Sequence, residues 1–416
     1  MAKGKPQYDA IVIGVGGMGS AALYQLARRG TKVLGIEQYG VAHNLGSSHG
    51  ISRIIRLAYH EDPAYVPLLK RAYELWQQLE QETKQDLLCI TGSIDTNRGD
   101  IEGYNGFKNA LLSAKQHNLE HEVLTGDQVN ARFPGYNLPS DFMAVYQPQG
   151  GILASELCIA AHIQAAQSHG AEFQSGEKVE SWEVDPSSGI VTVFTDRGRY
   201  TASKLVLTAG AWMPDIMPEL QSALVVERQV IGWFSVKHPD PDCCTPSGKF
   251  PVFLLQDEED CWYGFPQYGH NGLKIGKFDR EDNAVAHPSQ LERRVLPQDE
   301  QMLRGAISRF FPVANHEMTK AATCMFTTTR DRHFIVDLHP TYKQVVVCSA
   351  CSGHGYKFCS VMGEVLADLA LTGNTRHDIE FIRFNDARPG QKEMMHAFHQ
   401  GGAPVDPAPI AFPSKL

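Results

Sequence analysis

The stretch Gly14-Val15-Gly16-Gly17-Met18-Gly19 has the spacing of a loop that cradles a dinucleotide. It follows Asp9-Ala-Ile-Val-Ile-Gly14, which carries no charge after Asp9 and reads as a buried strand. A helical pattern runs from Met18 to about Arg29, and Gly30 stands where a left-handed C-cap needs glycine. A second strand, Lys32-Val-Leu-Gly-Ile36, ends at Glu37. Gly14 permits the tight turn. Gly16, with Gly17 and Met18, lets a pyrophosphate approach backbone N–H groups at the helix N-terminus, where the helix dipole favours anions. Gly19 lets helix and strand pack closely, and Glu37 can accept hydrogen bonds from a ribose diol. A glycine-rich turn that binds nothing is the competing reading, and the acid at the end of the second strand speaks against it. The pattern does not choose between NAD and FAD.

Three further groups have chemistry in their spacing. Arg53 and Arg56, three apart after a polar glycine-rich loop, share a face if they lie on a helical turn. Two arginines facing one way suit a phosphate or carboxylate, and a solvated basic edge fits the spacing equally well. Nine cysteines, an odd number, include Cys348-Ser-Ala-Cys351 and the vicinal pair Cys243-Cys244. With no second C-x-x-C for a zinc ribbon, ordinary reduced thiols are the better reading of both. Ser414-Lys415-Leu416 closes the sequence after a proline-rich stretch, the form of a receptor-read peroxisomal address. That makes a peroxisomal import receptor an expected partner, against the alternative of a coincidental tail.

The elements that would position these residues fall into blocks. Asp62-Pro63 opens a long helix to about Gln81, with Asp as N-cap and Pro in the first turn. Residues 88–150 alternate short strands with a helix near Asn105–Gln116. A helix over Ser155–His169 is followed by strands at Lys178–Val184 and Gly189–Thr195. A buried strand, Lys204-Leu-Val-Leu-Thr208, then ends in Ala209-Gly210. Residues 216–323 are rich in proline, aromatics and turns. Val226–Phe234, Val252–Leu255, Cys261–Phe265 and Leu273–Phe278 read as one antiparallel sheet. A helix near Glu300–Phe311 returns the chain, and Gly353-His-Gly355 leads into a last helix from Tyr356 to about Leu371. The expected fold is α/β with a part of α+β character. A discontinuous Rossmann-like domain (1–87, 150–215 and 324–386) is interrupted by a β-rich substrate domain (88–149 and 216–323), and 387–416 form a tail.

Composition bounds the class. The chain has 416 residues, 43% of them hydrophobic, enough for a large core in two or three domains. A formal charge of −9 and the lack of a basic run interleaved with aromatics argue against nucleic acid. No stretch approaches the roughly 20 apolar residues of a membrane helix. Met1-Ala-Lys-Gly-Lys-Pro-Gln7 leads straight into the first strand, so no secretory leader is expected.

Three separated clusters carry a resemblance. They are Gly14–Glu37, Gly46-Ser-Ser-His-Gly-Ile-Ser-Arg-Ile-Ile-Arg56, and Cys324-Met-Phe-Thr-Thr-Thr through Gly353-His-Gly-Tyr-Lys-Phe358. Together, over Tyr8 to about Phe384, they resemble the monomeric sarcosine oxidase family. That family includes N-methyltryptophan oxidase and the peroxisomal sarcosine/pipecolate oxidases, FAD enzymes that oxidise secondary amino acids and pass electrons to O2, giving H2O2. The resemblance implies that Cys324 carries FAD through an 8α-thioether, and that Lys274 activates oxygen beside the flavin. It implies that Arg56 and Lys357 hold the substrate carboxylate. Ser48, His49, Arg53, Gly353 and Gly355 match positions around the cofactor, and Tyr263 lines the substrate pocket. Without the resemblance, Cys324 is one thiol among nine and Lys274 a strand lysine in water. Two positions depart from the family: Phe278 stands for a histidine and Phe326 for a tyrosine, both pocket-lining. The expected substrate is therefore bulkier or more apolar than sarcosine, such as pipecolate or an N-alkylated hydrophobic amino acid. An NAD-dependent dehydrogenase and a flavin-fold protein without turnover are the competing readings. The family is usually monomeric, which extends to this chain by analogy.

Overall fold

In the strand Tyr8–Ile13 the residues Ala10 to Ile13 are buried, because it pairs in parallel on both sides. Its neighbours are Val33–Glu37 and Gly198–Leu207, with Ile13 opposite Ile36 on one side and Leu207 on the other. This computed structural model describes residues 6–98, 105–257, 260–278, 283–389, 391–392 and 394–395. Ser414, Lys415 and Leu416, with the expected targeting signal, lie outside the described residues.

The first sheet has eight strands. Glu172–Ser175 extends it beyond Val33–Glu37. Val345–Ser349 pairs with Gly198–Leu207 and with Ile335–Leu338, and a meander over residues 179–195 adds the other edge. Helices Gly17–Arg28, Ser155–Ser168 and Cys359–Thr372 pack together over one face. Val12, Leu23, Ile163 and Leu366 share the core between them. The last helix stops at Gly373, whose φ of 76° is the left-handed cap a side chain would strain.

The second sheet has nine strands and is antiparallel apart from Val252–Asp257 against Ser93–Arg98. Its longest pair is Leu224–Phe234 with Met318–Thr329. Helix Pro297–Phe310 covers one face over an aromatic core of Tyr136, Phe250, Phe253 and Phe311. A three-stranded sheet, Ser52–Ile55, Gly151–Ala154 and Leu88–Ile90, lies beside these two. The α/β architecture with a separate antiparallel sheet agrees with the sequence expectation.

Two expectations are corrected. Ser52–Ile55 is a strand, held by Gly151–Ala154 far along the chain, so Arg53 and Arg56 do not share a helical face. At a spacing of three on extended backbone they project to opposite sides. The boundary drawn at residue 324 cuts Met318–Thr329 in its middle; that strand belongs whole to the second sheet through its ladder with Leu224–Phe234. Other differences are small. The long helix begins as a 3-10 turn, Pro63–Tyr65, with the Asp62 carboxylate capping Ala64 N at 2.7 Å, and becomes α-helical over Val66–Thr83.

Candidate cofactor and substrate site

The first strand, the glycine loop and the first helix build one end of a cleft. A Cβ at Gly19 would stand 1.8 Å from the Gly14 carbonyl oxygen, so only glycine permits this helix–strand approach. Above Gly16 nothing lies within 4 Å of such an atom, which leaves the helix N-terminus open. No side chain caps that helix and no acid sits in its first turn, so its N–H groups face the cleft with a positive dipole. Glu37, only 5% exposed, accepts from Val15 N at 2.9 Å and Tyr39 N at 3.0 Å, which fixes its carboxylate at the cleft wall. The strand tip at Thr208 closes the other wall: its hydroxyl donates to Ile13 O and Gly14 O at 2.9 and 2.7 Å. Met18 and Ser48 also line this cleft.

Strand register gathers the second group. Gln229 faces Cys324 across the ladder, and Trp233 faces Lys274, which in turn faces Phe265. Opposed residues of an antiparallel pair share a face, so Cys324, Gln229, Lys274 and Trp233 all project to one side. The loop before Ser52–Ile55 comes down on that side. Lys274, 1% exposed, donates from Nζ to Gly50 O (2.8 Å), Ser52 O (2.9 Å) and Ser52 Oγ (3.0 Å). Burial, and then the Arg53 guanidinium, push its pKa well below the usual lysine range. The three acceptors match the three donors of an ammonium. Arg53 donates to the Ser47, His49 and Ser52 carbonyls, and its Nη2 lies 3.7 Å from Cys324 Sγ. His49 is buried and neutral near pH 7, because burial and Arg53 lower its pKa to about 4. Tyr263 packs over Gly276 on the same side, and burial pushes its hydroxyl pKa up.

A third group collects around Tyr59. Arg56, 1% exposed, stacks its guanidinium 4.6 Å from the Tyr59 ring centroid and pairs with Glu61 at 2.8 Å and Asp95 at 3.7 Å. Lys357 Nζ lies 5.1 Å from the same ring and donates to His354 O at 2.7 Å. Burial lowers the Lys357 pKa to about 7, against the pull of Glu61. Nearby, the Phe278 and Phe326 rings meet at 5.2 Å. A Cβ at Gly353 (φ 76°) would come within 2.5 Å of the first and 3.0 Å of the second, so both the backbone angle and the two rings demand glycine there. Gly355 continues this turn into the last helix.

The structure thus brings together Cys324, Lys274, Arg53 and His49; Arg56 with Lys357; and Phe278 with Phe326. It separates Arg53 from Arg56. Sequence reasoning missed Tyr59, Glu61 and Asp95. Tyr59 and Glu61, close after Arg56, were the only local signal; Asp95 carried none. It also missed Gln229. Buried beside Cys324, it has no hydrogen-bond partner for either amide atom among the described residues, and His49 Nε2 likewise has none.

Residues 9–369 match the family model described as FAD dependent oxidoreductase. The chain belongs to this FAD-dependent oxidoreductase family. It is 39% identical over 391 residues to monomeric sarcosine oxidase of Bacillus sp. (strain B-0618), covering 93% of this chain and 98% of that one. It is 33% identical to N-methyl-L-tryptophan oxidase of Yersinia pestis (strain Pestoides F), covering 86% and 94%. Among solved structures it is similar to NikD, an unusual amino acid oxidase essential for nikkomycin biosynthesis, with a TM-score of 0.79 at 26% identity, covering 90% and 97%. L-proline dehydrogenase from P. horikoshii shares the fold at a TM-score of 0.75.

The FAD-dependent oxidoreductase reading agrees with the residues present. Glu37, the open helix N-terminus and the Thr208 tip suit the nucleotide end of FAD. The unsatisfied amide of Gln229 and imidazole of His49 suit a polar ring lodged against the second sheet. NAD, left open by the glycine motif alone, is set aside by the family.

Proposed function

We propose that this FAD-dependent oxidoreductase oxidises the C–N bond of a secondary amino acid to an imine, with O2 as the final acceptor and H2O2 as product. The observation that carries the reading is the pair of buried cations, Arg56 and Lys357, on one Tyr59 ring. Two cations so placed suit a single carboxylate. FAD, when bound, supplies the hydride acceptor and the electron path to oxygen. Everything else is positioning by this chain. Arg56 and Lys357 hold the carboxylate so that the C–H beside nitrogen presents to the cofactor. The substrate carboxylate takes the place Glu61 now fills on Arg56. Phe278 and Phe326 shield the reacting carbon from water. Lys274, when protonated, places its positive charge where negative charge develops on oxygen. Cys324, with its thiol beside Arg53 Nη2, is the group proposed to tether the flavin covalently. The names of the relatives support the substrate class, and a single chain is the expected assembly.

The paired rings of Phe278 and Phe326 favour pipecolate or a bulkier N-alkyl amino acid over sarcosine. The test is peroxide formation by purified protein over a panel of secondary amino acids. Peroxide with pipecolate or a larger N-methyl amino acid at higher kcat/KM than with sarcosine supports the reading. Fastest turnover of sarcosine sinks the size preference. Flavin reduction without peroxide makes the chain a dehydrogenase.

A further inference from the structure

Arg332 is a cation without a counterion among the described residues. Its guanidinium makes no hydrogen bond or ion pair among the described residues; its one recorded side-chain interaction is with the Phe278 ring, 5.7 Å from carbon to centroid. Many of the chain's arginines are tied down, including Arg56 to Glu61, Arg71 to Glu364, Arg228 to Asp299 and Arg388 to Asp331. The acid next to it, Asp331, is fully engaged. It accepts from Arg388 Nε at 2.8 Å and Nη2 at 3.2 Å, from the Thr329 hydroxyl at 2.9 Å and from His333 N at 3.1 Å. Two residues earlier, Arg330 has a buried Nε with no hydrogen-bond partner among the described residues. Among the described residues, neither Arg330 nor Arg332 of this turn has an ion-pair partner.

The backbone there is unusual too. Arg332 has φ 59°, the left-handed region that L side chains rarely adopt. It is pinned at both ends: Arg332 N donates to Thr329 O at 3.1 Å, and its carbonyl is bonded by His354 Nε2 at 2.9 Å. His354 belongs to the Gly353–Gly355 turn, so the strained residue is fastened to the loop that leads to Lys357. Residues held in this conformation collect at ligand sites, and this one lies beside the paired rings of Phe278 and Phe326.

Position gives the chemistry. Phe278 and Phe326 form an apolar wall against Gly353, and Arg332 covers the Phe278 ring. Arg56 and Lys357 already account for the carboxylate on the reacting carbon. We propose that Arg332 forms an anion subsite at the wall of the substrate pocket, so that the preferred substrate is a secondary amino acid whose side chain or N-substituent ends in a second carboxylate. The aliphatic part of that substituent lies along Phe278 and Phe326, and its terminal charge meets the guanidinium. This rests on the amino acid oxidase reading above and sharpens its substrate class.

The test compares N-methylglutamate with N-methylglutamine, which have the same shape and differ in charge. Wild type, Arg332→Gly and Arg332→Lys are assayed for flavin reduction and peroxide, with pipecolate as a reference substrate. Arg332→Gly removes the charge while suiting the left-handed backbone, so the fold is not put at risk. Wild type is expected to favour N-methylglutamate about tenfold in kcat/KM, on the scale of one partly exposed ion pair. Arg332→Gly should abolish that preference through KM, leaving kcat and pipecolate turnover unchanged. Arg332→Lys should keep part of it. The subsite is overturned if the glutamate-to-glutamine ratio is the same in wild type and Arg332→Gly, or if pipecolate is oxidised and neither glutamyl compound is. If no secondary amino acid reduces the flavin, the oxidase reading itself falls and the subsite with it.

Discussion

Lys357 offers the sharpest test of the carboxylate clamp, because its charge is expected to change within the working pH range. Burial brings its pKa to about 7 in the resting site. Below that value the ammonium is present and a bound carboxylate gains an ion pair; above it, binding must first take up a proton. Each unit of pH above 7 then costs about 1.4 kcal/mol. From pH 7 to pH 9 the affinity for a carboxylate should fall by about 2.3 kcal/mol, roughly fiftyfold, until the pKa of the occupied state is reached. The neighbouring groups leave this window clear. Arg56 stays charged throughout. Glu61 is ionised throughout: burial acts to raise its pKa, but Arg56 and the other cations hold it well below the carboxylate range. His354, lowered to about 3 by burial, stays neutral. The assay uses an amine-free carboxylate such as cyclohexanecarboxylate, so that no ligand nitrogen titrates, and reads its Kd from the flavin absorbance between pH 6 and 9. Lys357→Met should bind weakly at pH 6 and give a flat profile. A wild-type Kd that moves less than about threefold over this range, or the same slope in Lys357→Met, would refute the role given to Lys357.

Further outcomes follow from other residues. Acid precipitation should leave the yellow colour with wild-type protein and release it from Cys324→Ala; free flavin from both would remove Cys324 as the tether. Lys274→Met should slow reoxidation of the reduced enzyme by O2 about 10²- to 10³-fold while leaving anaerobic flavin reduction near wild type; equal loss in both half-reactions would assign it a structural role. His162 is fully buried and burial lowers its pKa from 6.5 to about 3. The unfolded chain therefore takes up the proton first, so stability is lost as pH falls below 6.5, by about 2 kcal/mol at pH 5. His162→Leu should remove that share of acid sensitivity in chemical denaturation at pH 5 and pH 7.5, and an unchanged pH difference would contradict it.

The nucleotide half of the site was legible in the sequence because local rules and global fold agree there. A central parallel strand must be apolar throughout, a close helix–strand crossing needs Gly19, and a ribose-binding acid ends the next strand. The helix starting after Asn105 was equally plain, its N-cap side chain accepting from Lys108 N at 3.0 Å. The flavin and substrate half was not legible from spacing. Ser52–Ile55 is too short to distinguish a strand from a helical turn by period, and the decision comes from Gly151–Ala154, which no local pattern announces. Nothing near Cys324 or Lys274 in sequence says that they face one another's neighbours. That follows from two ladders sharing the strand Leu224–Phe234: Gln229 meets Cys324 in one and Trp233 meets Lys274 in the other. A register shift of one residue on Leu224–Phe234 would turn Gln229 and Trp233 to the opposite face and leave the thiol and the amine without this setting.

The site holds its cations in different ways. Arg56 has two carboxylates in reach, so its charge is stable but must be released to a ligand. Among the described residues Lys274 has no carboxylate partner, only two carbonyls and a hydroxyl fixed by the Gly50–Ser52 loop, which Glu156 in turn holds through Gly50 N and Ile51 N. Among the described residues the Lys357 amine bonds a single carbonyl, with two donors to spare. Of the two cations proposed to meet a ligand carboxylate, Lys357 is thus under-bonded while Arg56 is paired with acids a ligand must displace, and Lys274 is fully bonded. Burial of Lys274 and Lys357 lowers the pKa of both, and each costs folding energy as pH falls through the range where the unfolded lysine is already protonated. Under the proposed function that cost is offset by a bound carboxylate at Lys357 and by negative charge developing beside Lys274. Replacing either with methionine should therefore stabilise the fold at neutral pH while impairing one defined step, binding in the first case and reoxidation in the second.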